Sequence, residues 1–505
     1  MRLAGRPNPH AAFPGHGELA PLDLPADPCD RILASIAQRI TSRTFTDWAD
    51  AAARVGHCAK PVRLRGTSTR YDTTTGEALS TYSSADEPLG VTYVRCGNRR
   101  EEQCPSCSRI YARDTFELIR AGVTGGKTVP ATVGDNPLVF ATLTAPSFGH
   151  VHGHRTNGGK CRPRDRAARC VHGESVACFV SHSGDDPVIG SPICEQCYDY
   201  DTHLIWQWWA PELWRRFTIA LRRLIARRLG VSDSRLSDVA TVQYAKVGEQ
   251  QRRGVIHFHA LVRLDGPKTA GGYEPAPATV DAATLSDLLA AAALSVTYTA
   301  AAITDNDTPR LLRFGVQVDA RPVTARKRDL LDSDTLSAEQ VAGYLAKYAT
   351  KTATTTPGHQ SSAHLVRVRQ TARELADCAD PAGDYGLLGK WVHMLGFRGH
   401  FSSKSRRYSV TLGQLRRARQ RFQSLAAQAA RDGTPLDVAD LEARLMADDD
   451  QETTLVVGQW SYAGSGWDND GDTALALAAA ARAREYEQWR TSSRNTTNPV
   501  NREEA

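Results

Sequence analysis

The 505-residue chain lacks any apolar run long enough to cross a membrane. Its most apolar stretch, Leu288 to Ile303, is interrupted by Ser295, Thr297, Tyr298 and Thr299. It falls short of the roughly 18 consecutive apolar residues that a spanning helix needs. The N-terminus has Pro and His where an export signal would carry an apolar core, so no leader is expected and the protein is expected to be cytoplasmic, with no membrane partner. Lysine is scarce: only ten of the 62 basic residues are Lys, which gives each one weight. A strong charge imbalance is missing too, since 62 Lys and Arg against 56 Asp and Glu leave +6, mild support for a nucleic-acid partner. No internal repeat is present. What is there is ordinary for a globular protein: 41% hydrophobic and 23% charged residues exclude disorder along the whole chain. At about 150 residues per domain the length suggests roughly three domains.

The eleven cysteines are an odd number, and ten fall before residue 200. In a reducing compartment disulfides are not expected, and two Cys-x-x-Cys pairs point to metal binding. Cys104-x-x-Cys107 with Cys96 upstream gives three soft ligands, and Cys58 completes a four-thiolate set of the kind that holds structural zinc. A second set comprises Cys161, Cys170, Cys178, Cys194 and Cys197, with His172 and His182 nearby. Cys161, Cys170, Cys194 and Cys197 are the chosen ligands there, and a two-zinc arrangement stays open. Cys29 and Cys378 are expected to be packing residues.

Along the chain, six Pro within residues 1–29 suggest a mobile tail. Helices are expected over Asp30–Ala53, Tyr111–Gly122, Trp206–Leu229 and 283–303. Leu138–Ala145 reads as a buried strand stopped by Pro146. Ala240–Val247 and Val255–Leu264, joined across Arg252-Arg253-Gly254, read as a hairpin. Ser337 with Gln340 three residues later is a capping-box signature opening a helix to about Thr352. An acidic helical stretch is expected near 437–452, and a disordered tail after Arg490.

Two motifs carry chemistry. In VIHFHALVR, Val255 to Arg263, a strand sends His257 and His259 to one face and Phe258 to the other, because side chains alternate with period two. Two imidazoles about 7 Å apart along one face can share a divalent ion; alone, the pattern reads equally well as two surface histidines. In GYLAKYATK, Gly343 to Lys351, a helix puts Tyr344 and Tyr348 on one face, with Lys347 and Lys351 repeating the spacing. The plainer alternative is an amphipathic helix packing two Tyr rings.

Together the motifs resemble the HUH endonucleases, in which a His–hydrophobe–His strand holds a metal and a helix presents nucleophilic tyrosine. The two-tyrosine form is similar to the replication initiators of small single-stranded DNA phages. Cys96-Gly97-Asn98-Arg99-Arg100, Cys104-Pro105-Ser106-Cys107, Phe140 to Pro146, Glu212 to Phe217, Gln251 to Gly254 and Gly396 to Phe401 resemble the rolling-circle initiators of actinomycete plasmids and integrative elements. The resemblance covers roughly residues 54–490.

It implies an α+β fold: an HUH core with a central antiparallel sheet, zinc-binding modules and a helical C-terminal region. The expected organisation is a tail and helix over 1–53, a zinc module over 54–130 and a nuclease domain over 131–355 with a Cys/His-rich loop, 150–200, inserted. A DNA-binding helical region over 356–490 and a tail over 491–505 follow. It also implies nicking and rejoining of single-stranded origin DNA through a 5′-phosphotyrosine, with Mg²⁺ or Mn²⁺ on His257 and His259. HUH proteins take a third ligand from a neighbouring strand. Glu249 is the candidate, since hard ions prefer carboxylate oxygen, with Gln250 and Gln251 as alternatives because a one-residue slip swaps faces. Lys347 or Lys351 would depress the tyrosine pKa or stabilise the transition state. The resemblance also implies a host helicase and a replicative polymerase as partners.

Arg pairs at 215/216, 222/223 and 227/228, with Arg406, Arg407, Arg416, Arg417, Arg419 and Arg421, are candidate DNA-backbone contacts, Arg215, Arg222, Arg406, Arg407 and Arg416 foremost. Phe397, Phe401 and Tyr408 either stack on bases or form core. The rival functions are a relaxase or transposase of the same chemistry and a non-enzymatic zinc-dependent DNA-binding regulator.

Overall fold

A computed structural model describes residues 28–324, 336–350, 362–436, 438, 440–447 and 454–496. The chain forms two compact units that interleave in sequence. Among the described residues, one unit draws on 28–69, 80–96 and 456–496, and the other on 70–79 and 97–455.

In the first unit, strand Val62–Asp72 lies between Thr454–Ser465 and Ala78–Ser83 and pairs antiparallel with Thr92–Val94. Helix Pro28–Thr41 packs on helix Asp470–Thr496, and the guanidinium of Arg39 grips the fully buried Asp472 carboxylate at 2.7 Å. Two sequence expectations are corrected here. The single helix over Asp30–Ala53 is two, Pro28–Thr41 and Phe45–Arg54, broken across Ser42–Thr44. The disordered tail after Arg490 begins too early, since the last helix continues to Thr496.

The second unit is built on a six-stranded sheet in the spatial order Leu336–Ser337, Val318–Thr324, Leu138–Leu143, Ile256–Asp265, Thr241–Gln250, Ser402–Lys404. Its pairings are antiparallel except Leu336–Ser337, which runs parallel to its neighbour. Helix Tyr200–Arg228 covers one face. It starts six residues before the expected Trp206, because the Asp199 carboxylate accepts from the Thr202 N–H at 2.8 Å and caps it. Its first half, from Leu204 to Ala210, is buried all round, with Trp206, Trp208 and Trp209 in the core. Val139, Ala141, Leu143, Phe258, Ala260 and Val262 form the sheet's side of this core.

The other face carries helices Pro105–Thr124 and Ala338–Thr350, which pack on each other. Leu138, Val247, Leu261, Val341, Ala342 and Leu345 make a second core there. Successive residues of one strand therefore serve different cores, as period-two alternation requires. The expected helix over 283–303 ends at Ser295, and the β-branched and aromatic run Thr297–Ala300 forms a strand. The expected acidic helix near 437–452 is short, Leu441–Met446.

Candidate functional site

The hairpin strands set the site. Glu249 lies opposite His257 and Val247 opposite His259, while Leu138–Leu143, on the other flank, brings Thr142 opposite His259. Both imidazoles point to the face that carries helix Ala338–Thr350, and their ring centroids are 5.9 Å apart. His259 is held from two sides: its Nε2 lies 2.8 Å from Glu249 Oε2 and its Nδ1 3.0 Å from Thr142 Oγ1. His257 has no such support. Both its ring nitrogens are buried without a hydrogen-bond partner among the described residues. Burial first, then the neighbouring charges of His259 and Arg253, pushes its pKa down to about 3, so the ring is neutral. A buried, unpaired polar group costs about 1–3 kcal/mol. A neutral imidazole offers one ring nitrogen with a free lone pair, a ligand type that divalent cations take. His257, His259 and Glu249 are not among the sets of described residues whose ligand atoms all converge within 4.8 Å.

The tyrosine helix places a hydroxyl beside this pair. Its Ser337 hydroxyl accepts from the Gln340 N–H at 3.3 Å, the half of the capping box that starts the helix. Val341, Ala342 and Leu345 anchor it in the core, and Tyr344 stands at the edge of that face against Phe140 and His259. The Tyr344 hydroxyl lies 3.5 Å from His259 Nε2, and the two rings meet edge to face at 5.2 Å. Phe140 buttresses both. Tyr344 is 38% exposed, so a strand of DNA can reach it. Lys347 follows one turn on and is exposed. The backbone of Tyr348 continues the helix one further turn, whereas its side chain and all of Lys351 lie outside the described residues.

The Cys-rich loop resolves into two ligand groups. His152, Cys161, Cys178 and His182 converge in one, and Cys170, His172, Cys194 and Cys197 in the other, with ligand atoms within 4.8 Å of one another in each. This corrects the sequence-based choice. Cys161 does not join Cys170, Cys194 and Cys197, and each group is completed by histidine. Cys178-x-x-x-His182 spacing was the available signal, and His152 had none. Among the remaining candidates, Cys58 is buried in the first unit, where its Sγ accepts from the Cys96 N–H at 3.4 Å. Cys104 and Cys107 are buried at the start of helix Pro105–Thr124 in the second. Cys29 and Cys378 are exposed, not packed.

The arginine candidates separate as well. Glu212 pairs with both Arg215 and Arg216, at 2.7 and 2.9 Å, and Asp233 pairs with Arg223. These arginines are therefore not unopposed. Arg222 instead joins Lys268, Arg406 and Arg407 around a cavity of about 590 Å³, and none of these four has an ion-pair partner among the described residues. The cavity borders Thr241 to Gln243. Glu249 is six residues along the same strand from Gln243, or about 20 Å at roughly 3.3 Å per residue. Arg416 is exposed on helix Leu412–Arg431. Phe397, Phe401 and Tyr408 are at most 4% exposed and are core residues, not stacking platforms. No described helix is long and apolar enough to cross a membrane.

The family model RepSA, described as "Replication initiator protein, pSAM2", matches residues 44–481. A replication initiator protein of Streptomyces ambofaciens is 41% identical over 448 residues, covering 86% of this chain and 90% of the relative. No solved structure matches.

Proposed function

Given that the chain belongs to the RepSA family of replication initiators, we propose that it starts and ends rolling-circle replication by nicking and rejoining single-stranded origin DNA, as a two-tyrosine HUH endonuclease. The observation that carries this is the Tyr344 hydroxyl, 3.5 Å from His259 Nε2, beside a His257 whose ring nitrogens are buried with no hydrogen-bond partner among the described residues. His257, His259 and Glu249 hold Mg²⁺ or Mn²⁺, which when bound supplies Lewis-acid polarisation of the scissile phosphate.

The protein's own groups do the rest. Tyr344 Oη forms a bond to phosphorus while the P–O3′ bond breaks. The phenolic proton goes to solvent, which reaches the exposed ring, and the departing 3′ oxygen takes up a proton. The product is a 5′-phosphotyrosine and a free 3′-OH, so the bond energy is conserved and the step reverses without ATP. A phenol of ordinary pKa near 10 is a poor nucleophile at neutral pH, and Lys347 brings positive charge one turn from it. The 3′-OH primes the replicative polymerase, and a host helicase opens the duplex. After one circuit, Tyr348 cleaves the regenerated origin, and the new 3′-OH attacks the first phosphotyrosine to close the circle.

The two Cys/His groups hold structural zinc, and each unit offers a further pair of thiolates, Cys58 with Cys96 and Cys104 with Cys107. Arg222, Lys268, Arg406 and Arg407 contact the backbone of origin duplex, and such contacts fix position without reading sequence. The test is incubation of labelled single-stranded origin DNA with protein and Mn²⁺, followed by a denaturing gel. A covalent adduct is expected from wild type. Tyr344→Phe and Tyr348→Phe should each keep some cleavage of a short oligonucleotide, and the double variant should form no adduct. One wholly inactive single variant beside one with wild-type cleavage and replication would rule out the alternating mechanism.

A further inference from the structure

The turn that joins the hairpin strands, Gln251 to Val255, is fastened from two directions. From the core, the Gln207 side chain donates to the Gly254 carbonyl at 2.8 Å and accepts from the Ile256 N–H at 2.9 Å. His364 Nε2 lies 3.0 Å from the Arg253 carbonyl, and the Arg253 guanidinium donates to the Pro146 carbonyl at 3.0 Å. From the other direction comes the Cys/His loop, by two routes. The Arg252 guanidinium donates to the Asp186 carbonyl at 3.1 Å, and Asp186 Oδ2 sits 2.7 Å from His182 Nδ1. Gly190, whose N–H donates to the His152 carbonyl at 2.9 Å, lies flat against the Arg252–Arg253 peptide. A Cβ built there falls 2.6 Å from the Arg252 carbonyl carbon, and the backbone has φ +91°, so only glycine fits.

Both routes end on residues of one ligand group. His182 Nε2 is 3.4 Å from Cys178 Sγ, and His152 Nδ1 is 3.9 Å from Cys161 Sγ. Asp186 on His182 Nδ1 leaves Nε2 to face the ligand centre, the second-sphere carboxylate that orients a ligating imidazole. The Gly153 N–H donates to Cys161 Sγ at 3.1 Å, fixing the sulfur's position in the group.

We infer that His152, Cys161, Cys178 and His182 form a zinc site that braces the Gln251–Val255 turn, so that the metal in the loop positions His257 and Glu249 in the cleavage centre. His257 and Glu249 face each other two residues from where the turn closes, through Gln250 and Ile256. A loosened turn therefore displaces both. The inference rests on the cleavage centre proposed above. Asp186, Gly190 and Arg252 are positioning residues, since none approaches the reacting atoms except through the turn.

The test uses full-length protein and four readouts: zinc per chain by elemental analysis, hydrogen exchange of residues 251–257, adduct rate at saturating single-stranded oligonucleotide, and duplex affinity. Cys178→Ser should lose one zinc, raise exchange in the turn, and slow adduct formation by about 10-fold or more with duplex affinity within about twofold. Arg252→Ala and Gly190→Ala should retain zinc yet show the same faster exchange and slower adduct formation. These two variants keep the test decisive if Cys178→Ser does not fold. A wild-type protein without zinc, or unchanged exchange at 251–257 in Arg252→Ala and Gly190→Ala, would overturn the brace. If wild type forms no adduct, the nicking mechanism fails, while zinc content and exchange still decide the brace.

Discussion

The two faces of strand Ile256–Asp265 do different work with alternate residues of one segment. On one face, Phe258, Ala260, Val262 and Leu264 are no more than 1% exposed and pack under the tryptophan-rich helix. On the other, the ring nitrogens of His257 are buried without a hydrogen-bond partner among the described residues, His259 is shared between Glu249 and Thr142, and Arg263 is clamped to Asp265. The first face stabilises the strand. The second uses that stability to hold polar groups in an arrangement the strand alone would not favour. The strain of burying an unpaired imidazole is tolerated because the opposite face and the fastened turn over-determine the backbone.

Breaking each face separately sharpens the contrast. The largest effect should come from His257→Ala and His259→Ala, which are expected to abolish adduct formation. The loss should exceed the 10–100-fold that second-sphere partners of metal ligands are worth, and duplex binding by gel shift should survive. Full nicking by His257→Ala would remove the assignment. Phe258→Ala, one residue away, should do the reverse. It should cost about 3–5 kcal/mol in denaturant unfolding, while His257→Ala leaves stability unchanged or raises it by about 1 kcal/mol, because it deletes an unsatisfied group. Equal destabilisation by both would show that the two faces are not divided in this way.

A smaller effect concerns Lys246, 5% exposed on the tryptophan side with its ammonium over the Phe258 ring. Burial pushes its pKa down to about 8. Because the folded value lies below the unfolded value near 10.4, the penalty is fully present below pH 8. Between there and about pH 10 the unfolded chain keeps a proton that the folded chain has lost, so stability rises, by at most roughly 3 kcal/mol. Urea melts of wild type and Lys246→Met across pH 7 to about 10 check the sign, and the variant should lack the rise. A wild-type stability that falls from pH 8 upward by more than the variant's would refute it.

The smallest effect belongs to the basic cavity at the far end of the hairpin. Arg406→Ala with Arg407→Ala should weaken duplex origin binding by about 1 kcal/mol per contact and lower the salt slope by about 2. Cleavage of a short single-stranded oligonucleotide should be unaffected, and a change in it would place these residues in the cleavage centre.

Much of this was legible in the chain. Period two puts His257 and His259 on one face whatever surrounds them, and Val/Ile/Leu-rich runs marked the hairpin and the strand ending before Pro146. Ser337 with Gln340 located the start of the tyrosine helix within a residue, because capping is a local interaction. Local chemistry was less reliable where a competing element intervened. The Ala-rich helix ended early at a β-branched run, and Asp199 began the long helix before its periodicity was visible.

What the sequence could not determine were choices among chemically equal residues. Five cysteines and several histidines between 150 and 200 allow many ligand sets. Only the chain path through His152 and His182, some 30 positions apart, sorts them into two groups. Arg215, Arg222 and Arg223 look alike in the sequence, yet Glu212 and Asp233 neutralise the first and third, and Arg222 turns toward Arg406 and Arg407 from a segment almost 200 residues away. Residue type and spacing follow from covalent geometry over a turn or a strand, so the sequence by itself determined the His pair, the tyrosine spacing and the hairpin. That the Tyr344 hydroxyl meets His259, and which loop holds the turn beneath them, depends on packing between segments far apart in sequence, and that only the tertiary structure decided.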